Sequence, residues 1–186
     1  GVLGEEEETR KKLEEENILA AGQSSYLTNY AHYPVYENTE TEYYPLGDVW
    51  FEHFIEELKK AEHYIFMEYF IISEGYLWDT VLEILKEKAA AGVDVRLMIP
   101  EILDKKFVYM VAETYWGELL RHGVKIYKYS PGFIHAKSVM ADREAALIGT
   151  TNMDYRSFQL HYEDAVLFYQ APVVEELLED MDKIMD

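Results

Sequence analysis

The run Tyr64-Ile-Phe-Met-Glu-Tyr-Phe-Ile-Ile72 is apolar or aromatic at every position except Glu68. A strand with one face in water alternates polar and apolar residues, so a near-continuous β-favouring run has to be covered on both faces. Such a strand needs helices above and below it. Glu68 in its middle is either a satisfied buried carboxylate or a pocket residue.

The flanking sequence supplies the helices. Trp50, Phe51, Phe54, Ile55 and Leu58 recur at helical spacing, with Asp48 as the expected N-cap and an end near Ala61. After the run, a helix from Leu77 to Ala91 stops at Gly92 and a strand from Val93 to Ile99 ends before Pro100, completing a βαβ unit. A third helix, about Phe107 to His122, ends at Gly123 and feeds a strand from Val124 to Tyr129, after which Pro131 and Gly132 turn the chain. Towards the end, Ala165 to Tyr169 reads as a strand, and Pro172 in a first helical turn opens a closing helix from Val173 to Met185. This alternation predicts an α/β fold with a mixed β-sheet sandwiched between helices.

The preceding residues differ in character. Residues 5–20 are strong helix formers, with seven Glu against Arg10, Lys11 and Lys12 and almost no apolar face, which predicts a solvated helix. From Gly22 to Gly47, tyrosines recur among Asn, Thr and Pro without a sustained period, so an irregular arm packed on the domain is expected. The expected division is residues 1–46 as acidic helix and Tyr-rich arm, and 47–186 as a single catalytic domain.

Between the turn at Gly132 and the closing strand lies the densest group of reactive side chains, FIHAKSVMADREAALIGTTNMDYRSFQLHYED from Phe133 to Asp164. His135 and Lys137 are two apart, so on a strand both project into one site while Ala136 faces the core. A second strand, Ala145 to Ile148, ends at Gly149, and Asn152 lies just beyond it. An imidazole beside an obligate cation is favoured in its neutral, nucleophilic form, and Lys and Asn donate to phosphate oxygens. That combination suits phosphoryl transfer through a phosphohistidine. His161, near Glu163 on an expected strand, reads as structural or rim-exposed.

The spacing His135-x-Lys137-x4-Asp142-x6-Gly149-Thr150-x-Asn152 resembles the HKD motif of the phospholipase D superfamily, and its continuation through Asp154, Arg156, Ser157 and Glu163 resembles bacterial cardiolipin synthases. The resemblance implies a phospholipase D-like fold. It makes His135 a nucleophile or general acid, sets Lys137 and Asn152 on the phosphate, and gives Glu163 the orienting of an imidazole. It also places Thr150 and Ser157 among substrate-binding residues and makes Asp142 structural. Gly149, lacking a Cβ, would allow the close approach to phosphate.

Two-repeat relatives bring two motifs together, whereas this sequence holds one, and its first half resembles the start of a first repeat welded near GVDVRLMI to the end of a second. The resemblance therefore implies a homodimer in which one His135 attacks phosphorus and the other protonates the leaving alcohol. The implied substrate is a phospholipid such as phosphatidylglycerol, at the cytoplasmic face of a bacterial membrane with peripheral contact. No cofactor and no metal are called for.

Composition narrows the alternatives. The net charge of -19, from 17 Lys and Arg against 36 Asp and Glu, disfavours a nucleic-acid surface, which needs clustered cations, and equally disfavours nonspecific adhesion to anionic lipid. With no cysteine, disulfides, thiolate metal sites and cysteine nucleophiles are excluded. No run reaches the ~20 apolar residues of a membrane span, and the acidic start GVLGEEEE is unlike a signal peptide. The closing helix carries Glu175, Glu176, Glu179, Asp180 and Asp182, a solvated face without a histidine to complete a metal site. A nuclease of the same superfamily and a non-catalytic interaction module are the competing functions.

Overall fold

The computed structural model describes residues 2–33, 41–102 and 115–185. They fall into two compact units, Gly1–Tyr43 and Tyr44–Asp186.

In the first unit, α1 (Val2–Glu16) and α2 (Ile18–Tyr26) are followed by a π-helical turn, Leu27–Ala31. This corrects the expectation of one helix over residues 5–20 followed by irregular chain from Gly22. Asn17 interrupts the helix in an extended conformation, and its Oδ1 accepts from the amides of Leu19 and Ala20, which caps a new helix. Ala20, Ala21 and Gln23 then favour helix, and Tyr26 and Tyr30, four residues apart, meet with ring centroids 5.0 Å apart. Residues 34–40 of the expected arm lie outside the described residues.

The second unit comprises α3 (Gly47–Lys60), β1 (Tyr64–Tyr69), α4 (Tyr76–Ala90), β2 (Asp94–Pro100), α5 (residues 115–121) and β3 (Lys125–Tyr129). It continues with β4 (Lys137–Ala141), β5 (Ala145–Gly149), α6 (Tyr155–Gln159), β6 (Ala165–Tyr169) and α7 (Pro172–Met185). Among the described residues, six strands form one sheet in the order β3-β2-β1-β4-β5-β6. The β1–β2 and β2–β3 pairs are parallel; β1–β4, β4–β5 and β5–β6 are antiparallel. This is the mixed sheet between helices that the sequence pattern implies.

Alternation along β1 explains the two cores. Ile65, Met67 and Tyr69 join Phe54, Leu58, Trp78, Leu85 and Leu119 on the α3, α4 and α5 side. Phe66 points the other way, to Met98, Met140 and Ala146, where Val174, Leu178, Met181 and Met185 of α7 close the layer. Each large aliphatic side chain buried this way contributes about 1.5–3 kcal/mol, which is why neither face of β1 is left to water.

Several boundaries differ from the sequence reading. Helix α3 has Leu46 at its N-cap; Asp48 sits in its first turn and accepts from Gln159 Nε2 at 2.6 Å, a partner 111 positions away. Strand β1 stops at Tyr69, and Ile72 forms only an isolated bridge with Met153. The third helix is described from residue 115, so the rest of its expected span lies outside the described residues. His161 to Glu163 precede β6 without joining a strand. Helix α6, unforeseen in the sequence, is one turn capped by Asp154, whose Oδ1 accepts from the Ser157 amide at 2.7 Å.

Asp142 ends β4 in a left-handed conformation, φ 50°. Its carboxylate accepts the amides of Glu62, His63 and Tyr64 at 2.8, 2.9 and 2.8 Å, tying the end of β4 to the start of β1. Burial would raise its pKa, but those three backbone donors outweigh burial and hold it below the ordinary value.

Candidate active site

Strand polarity decides which side chains meet. Because β4 runs antiparallel to β1 and β5, and β5 antiparallel to β6, the end of β1, the start of β4, the end of β5 and the start of β6 lie at one end of the sheet. His135 and Lys137 come from the second of these, Thr150 and Asn152 follow the third, and Glu163 precedes the fourth.

His135 does not lie on the strand as the two-residue spacing implied; β4 begins at Lys137, and residues 133–136 form its lead-in. His135 is exposed, whereas Lys137 is 6% exposed and stands opposite Tyr69 in the β1 register. The Lys137 stem curls back so that Nζ donates to the His135 carbonyl oxygen at 2.6 Å. Ala136, expected in the core, is only half-buried.

Phe70 joins the two. Its ring centroid is 4.6 Å from the His135 ring, edge to face, and 5.2 Å from Lys137 Nζ. Phe133 stacks on the other side, 5.3 Å from Phe70 and 6.1 Å from His135. The sequence offered no signal for Phe70 beyond its place at the end of an apolar run. Burial lowers the Lys137 pKa below the usual lysine range, while the Glu163 carboxylate pulls it back up.

Glu163 is tied in place from two sides. One carboxylate oxygen accepts from the Thr150 hydroxyl, and the other lies 3.3 Å from His161 Nδ1. The imidazole beside Glu163 in this chain is therefore His161, half-exposed, and not His135. Thr150 also closes a backbone link, its amide donating to the Asp164 carbonyl at 2.8 Å.

Asn152 is held by its backbone. Its amide donates to Ser157 Oγ at 3.2 Å, Ser157 is 4% exposed, and the next residue, Met153, exchanges amide–carbonyl bonds of 3.1 and 3.0 Å with Ile71 and Ser73. Ser157, expected among the substrate-binding residues, supports the loop with its hydroxyl. The Asn152 Oδ1 is buried with no hydrogen-bond partner, and a half-turn of the carboxamide would present its NH2 instead.

Gly149, expected as a structural residue of the motif, sits where neighbouring backbone crowds it. A Cβ there would lie 2.5 Å from the Asp164 carbonyl oxygen and 2.6 Å from the Ala165 Cα, so its bare Cα admits the incoming β6 backbone. Glu68 pairs with Ser138 across β1 and β4, pointing away from the Lys137 face. Its Oε2 accepts from Ser138 Oγ at 2.7 Å, Oε1 has no partner, and burial raises its pKa. The open alternative closes on the buried carboxylate.

Among the described residues, no group of three or more His, Cys, Asp or Glu could hold a metal ion. Three of the acidic side chains on α7 are paired with cations, Asp182 with Arg96 at 3.2 Å, Glu175 with Arg143 at 3.7 Å and Glu179 with Lys183 at 3.6 Å.

Residues 54–185 match the family described as "Cardiolipin synthase, PLD-like domain". Over 102 residues the chain is 45% identical to cardiolipin synthase 2 of Bacillus cereus, covering 55% of this chain and 20% of that protein. Over 108 residues it is 46% identical to the cardiolipin synthase of Listeria welshimeri, covering 56% and 22%. The chain thus spans about a fifth of the length of these curated relatives. In fold it resembles Nuc from Salmonella typhimurium, a phospholipase D family member, with TM-score 0.60 at 20% identity over 74% of this chain and 85% of that one. NucT from Helicobacter pylori gives 0.60 at 13% identity over 74% and 88%.

Proposed function

Given that the chain belongs to the PLD-like domain family of cardiolipin synthases, we propose that it transfers a phosphatidyl group through a phosphohistidine, taking phosphatidylglycerol as substrate. The observation that carries this reading is the convergence of an exposed imidazole, His135, and a buried ammonium, Lys137, on the ring of Phe70, with Glu163 acting electrostatically on that ammonium.

In the first step a ring nitrogen of His135 attacks phosphorus, the bond from phosphorus to the headgroup oxygen breaks, and a second imidazolium gives its proton to the leaving glycerol. In the second, that imidazole takes the proton of an acceptor hydroxyl, the hydroxyl oxygen attacks phosphorus, and the N–P bond breaks to restore His135. Lys137 and Asn152 hold the non-bridging oxygens, where charge grows in each transition state. Glu163 keeps Lys137 charged and fixes Thr150.

The second histidine comes from another copy of the chain, so the working unit is a homodimer. No helix among the described residues is long and apolar enough to cross a membrane. The reading adds peripheral contact with the cytoplasmic leaflet, where a phospholipid substrate would be met.

The test is turnover of phosphatidylglycerol vesicles by the full chain, compared with single-stranded DNA. Cardiolipin and free glycerol are expected from the parent, a phosphatidyl adduct after a mildly alkaline detergent quench that spares the acid-labile N–P bond, and none of these from His135→Ala. Mixing parent with His135→Ala subunits under confirmed exchange should give activity that follows the square of the parent fraction. Product from His135→Ala, or preferential cleavage of DNA, would sink the proposal.

A further inference from the structure

Beside the Asn152 loop is a cavity of about 310 Å³ that the chemistry above does not use. It is lined by the turn after β1, the first turn of α4, the α3 face and α6, with Phe51, Tyr76, Trp78 and Tyr155 as its aromatic walls. Two short chain segments lead from its lining to the site. Ser73 is three residues past Phe70, Asp154 is two past Asn152, and the Ser73 amide donates to the Met153 carbonyl at 3.0 Å.

Its polar groups are of two kinds. Asp48 is engaged by Gln159, and Asp154 caps α6, but the carboxylates of Glu52 and Glu74 have no hydrogen-bond or ion-pair partner among the described residues. The lining also holds donors: α4 begins after Gly75, which offers no side-chain cap, so the first-turn amides lack the acceptor a capping side chain supplies. Trp78, 1% exposed, also lines the cavity, and its indole N–H is buried without a partner.

A ligand that completes this cavity both donates and accepts. An anion would meet the donors but be repelled by the carboxylates, and a cation would do the reverse. Neighbouring hydroxyls give protons to carboxylates, take hydrogen bonds from N–H groups and lay their C–H faces on aromatic rings. We infer that this cavity is a subsite for a neutral vicinal diol, binding the glycerol headgroup of the acceptor phospholipid and presenting its terminal hydroxyl to the phosphohistidine. This rests on the phosphatidyl-transfer reading.

The test has two arms. In a titration of the full chain with glycerol, followed by NMR, the Trp78 indole N–H signal, identified by its loss in Trp78→Phe, should shift saturably. The shift should vanish in Glu52→Gln/Glu74→Gln, which retains near-isosteric side chains. In turnover, the same double variant should lower the ratio of transfer to hydrolysis about fivefold, the factor that one hydrogen bond near 1 kcal/mol carries. An unchanged ratio, or an indole shift produced by choline and not by glycerol, overturns the diol subsite. A parent that turns over no phosphodiester removes the phosphatidyl-transfer reading, and the glycerol titration then judges the cavity by itself.

Discussion

The ammonium of Lys137 donates to the carbonyl oxygen of His135 at 2.6 Å, so the two residues are joined through the backbone as well as through their shared neighbour Phe70. A lysine that points straight off a strand would not do this. The curl holds the charge at the mouth of the site, beside the lead-in that carries the imidazole, while the stem stays buried.

Replacing Lys137 removes a charge that the fold has desolvated. Lys137→Met keeps the stem volume and should abolish turnover while the melting temperature stays equal or rises, because burial already works against the ammonium. Thermal denaturation beside an activity assay checks this; a large fall in melting temperature would assign Lys137 to the framework.

Glu163 opposes the effect of burial on Lys137, so neutralising it should make the ammonium lose its proton more easily. Activity that needs the charged lysine is lost as pH rises through its folded pKa, which lies below the usual ~10.4. In Glu163→Gln the alkaline limb of kcat/KM should move to lower pH. A limb that stays put, or moves up, would show that the carboxylate does not act on Lys137.

Glu68 is raised by burial, so protonation favours the folded state. Its contribution is fully present below the unfolded value of ~4.3 and is lost as pH rises through the folded pKa. Glu68→Gln escapes that loss. The melting temperature of the variant relative to the parent should therefore climb as pH rises above the unfolded value, and a pH-independent difference would contradict the assignment.

At Gly149 the crowding atoms are backbone, which cannot rotate away. Gly149→Ala should cost about 1–3 kcal/mol, as overpacking does, and should push β6 outward, loosening the hydrogen bond from the Thr150 amide to the Asp164 carbonyl. Chemical denaturation measures the first effect and amide exchange at Thr150 the second; wild-type values for both would refute it.

The sequence by itself determined that Tyr64 to Tyr69 is covered on both faces, because a run interrupted only by Glu68 has no polar alternation to face water, and the helical periods around it supplied the covering layers. The motif spacing likewise marked His135, Lys137 and Asn152. Those signals are local, since side-chain periodicity is a property of neighbouring residues. What the tertiary structure decided depends on which chain ends meet, and strand order with antiparallel pairing sets that. Only the folded chain brings Phe70 against both His135 and Lys137, seats Ser157 behind Asn152, and gives the Asp142 carboxylate three amides from residues about 80 positions earlier. Gly149 shows the division at one atom: its identity was legible in the motif, but the backbone that requires it arrives from Asp164 and Ala165, on a strand whose position no local pattern encodes.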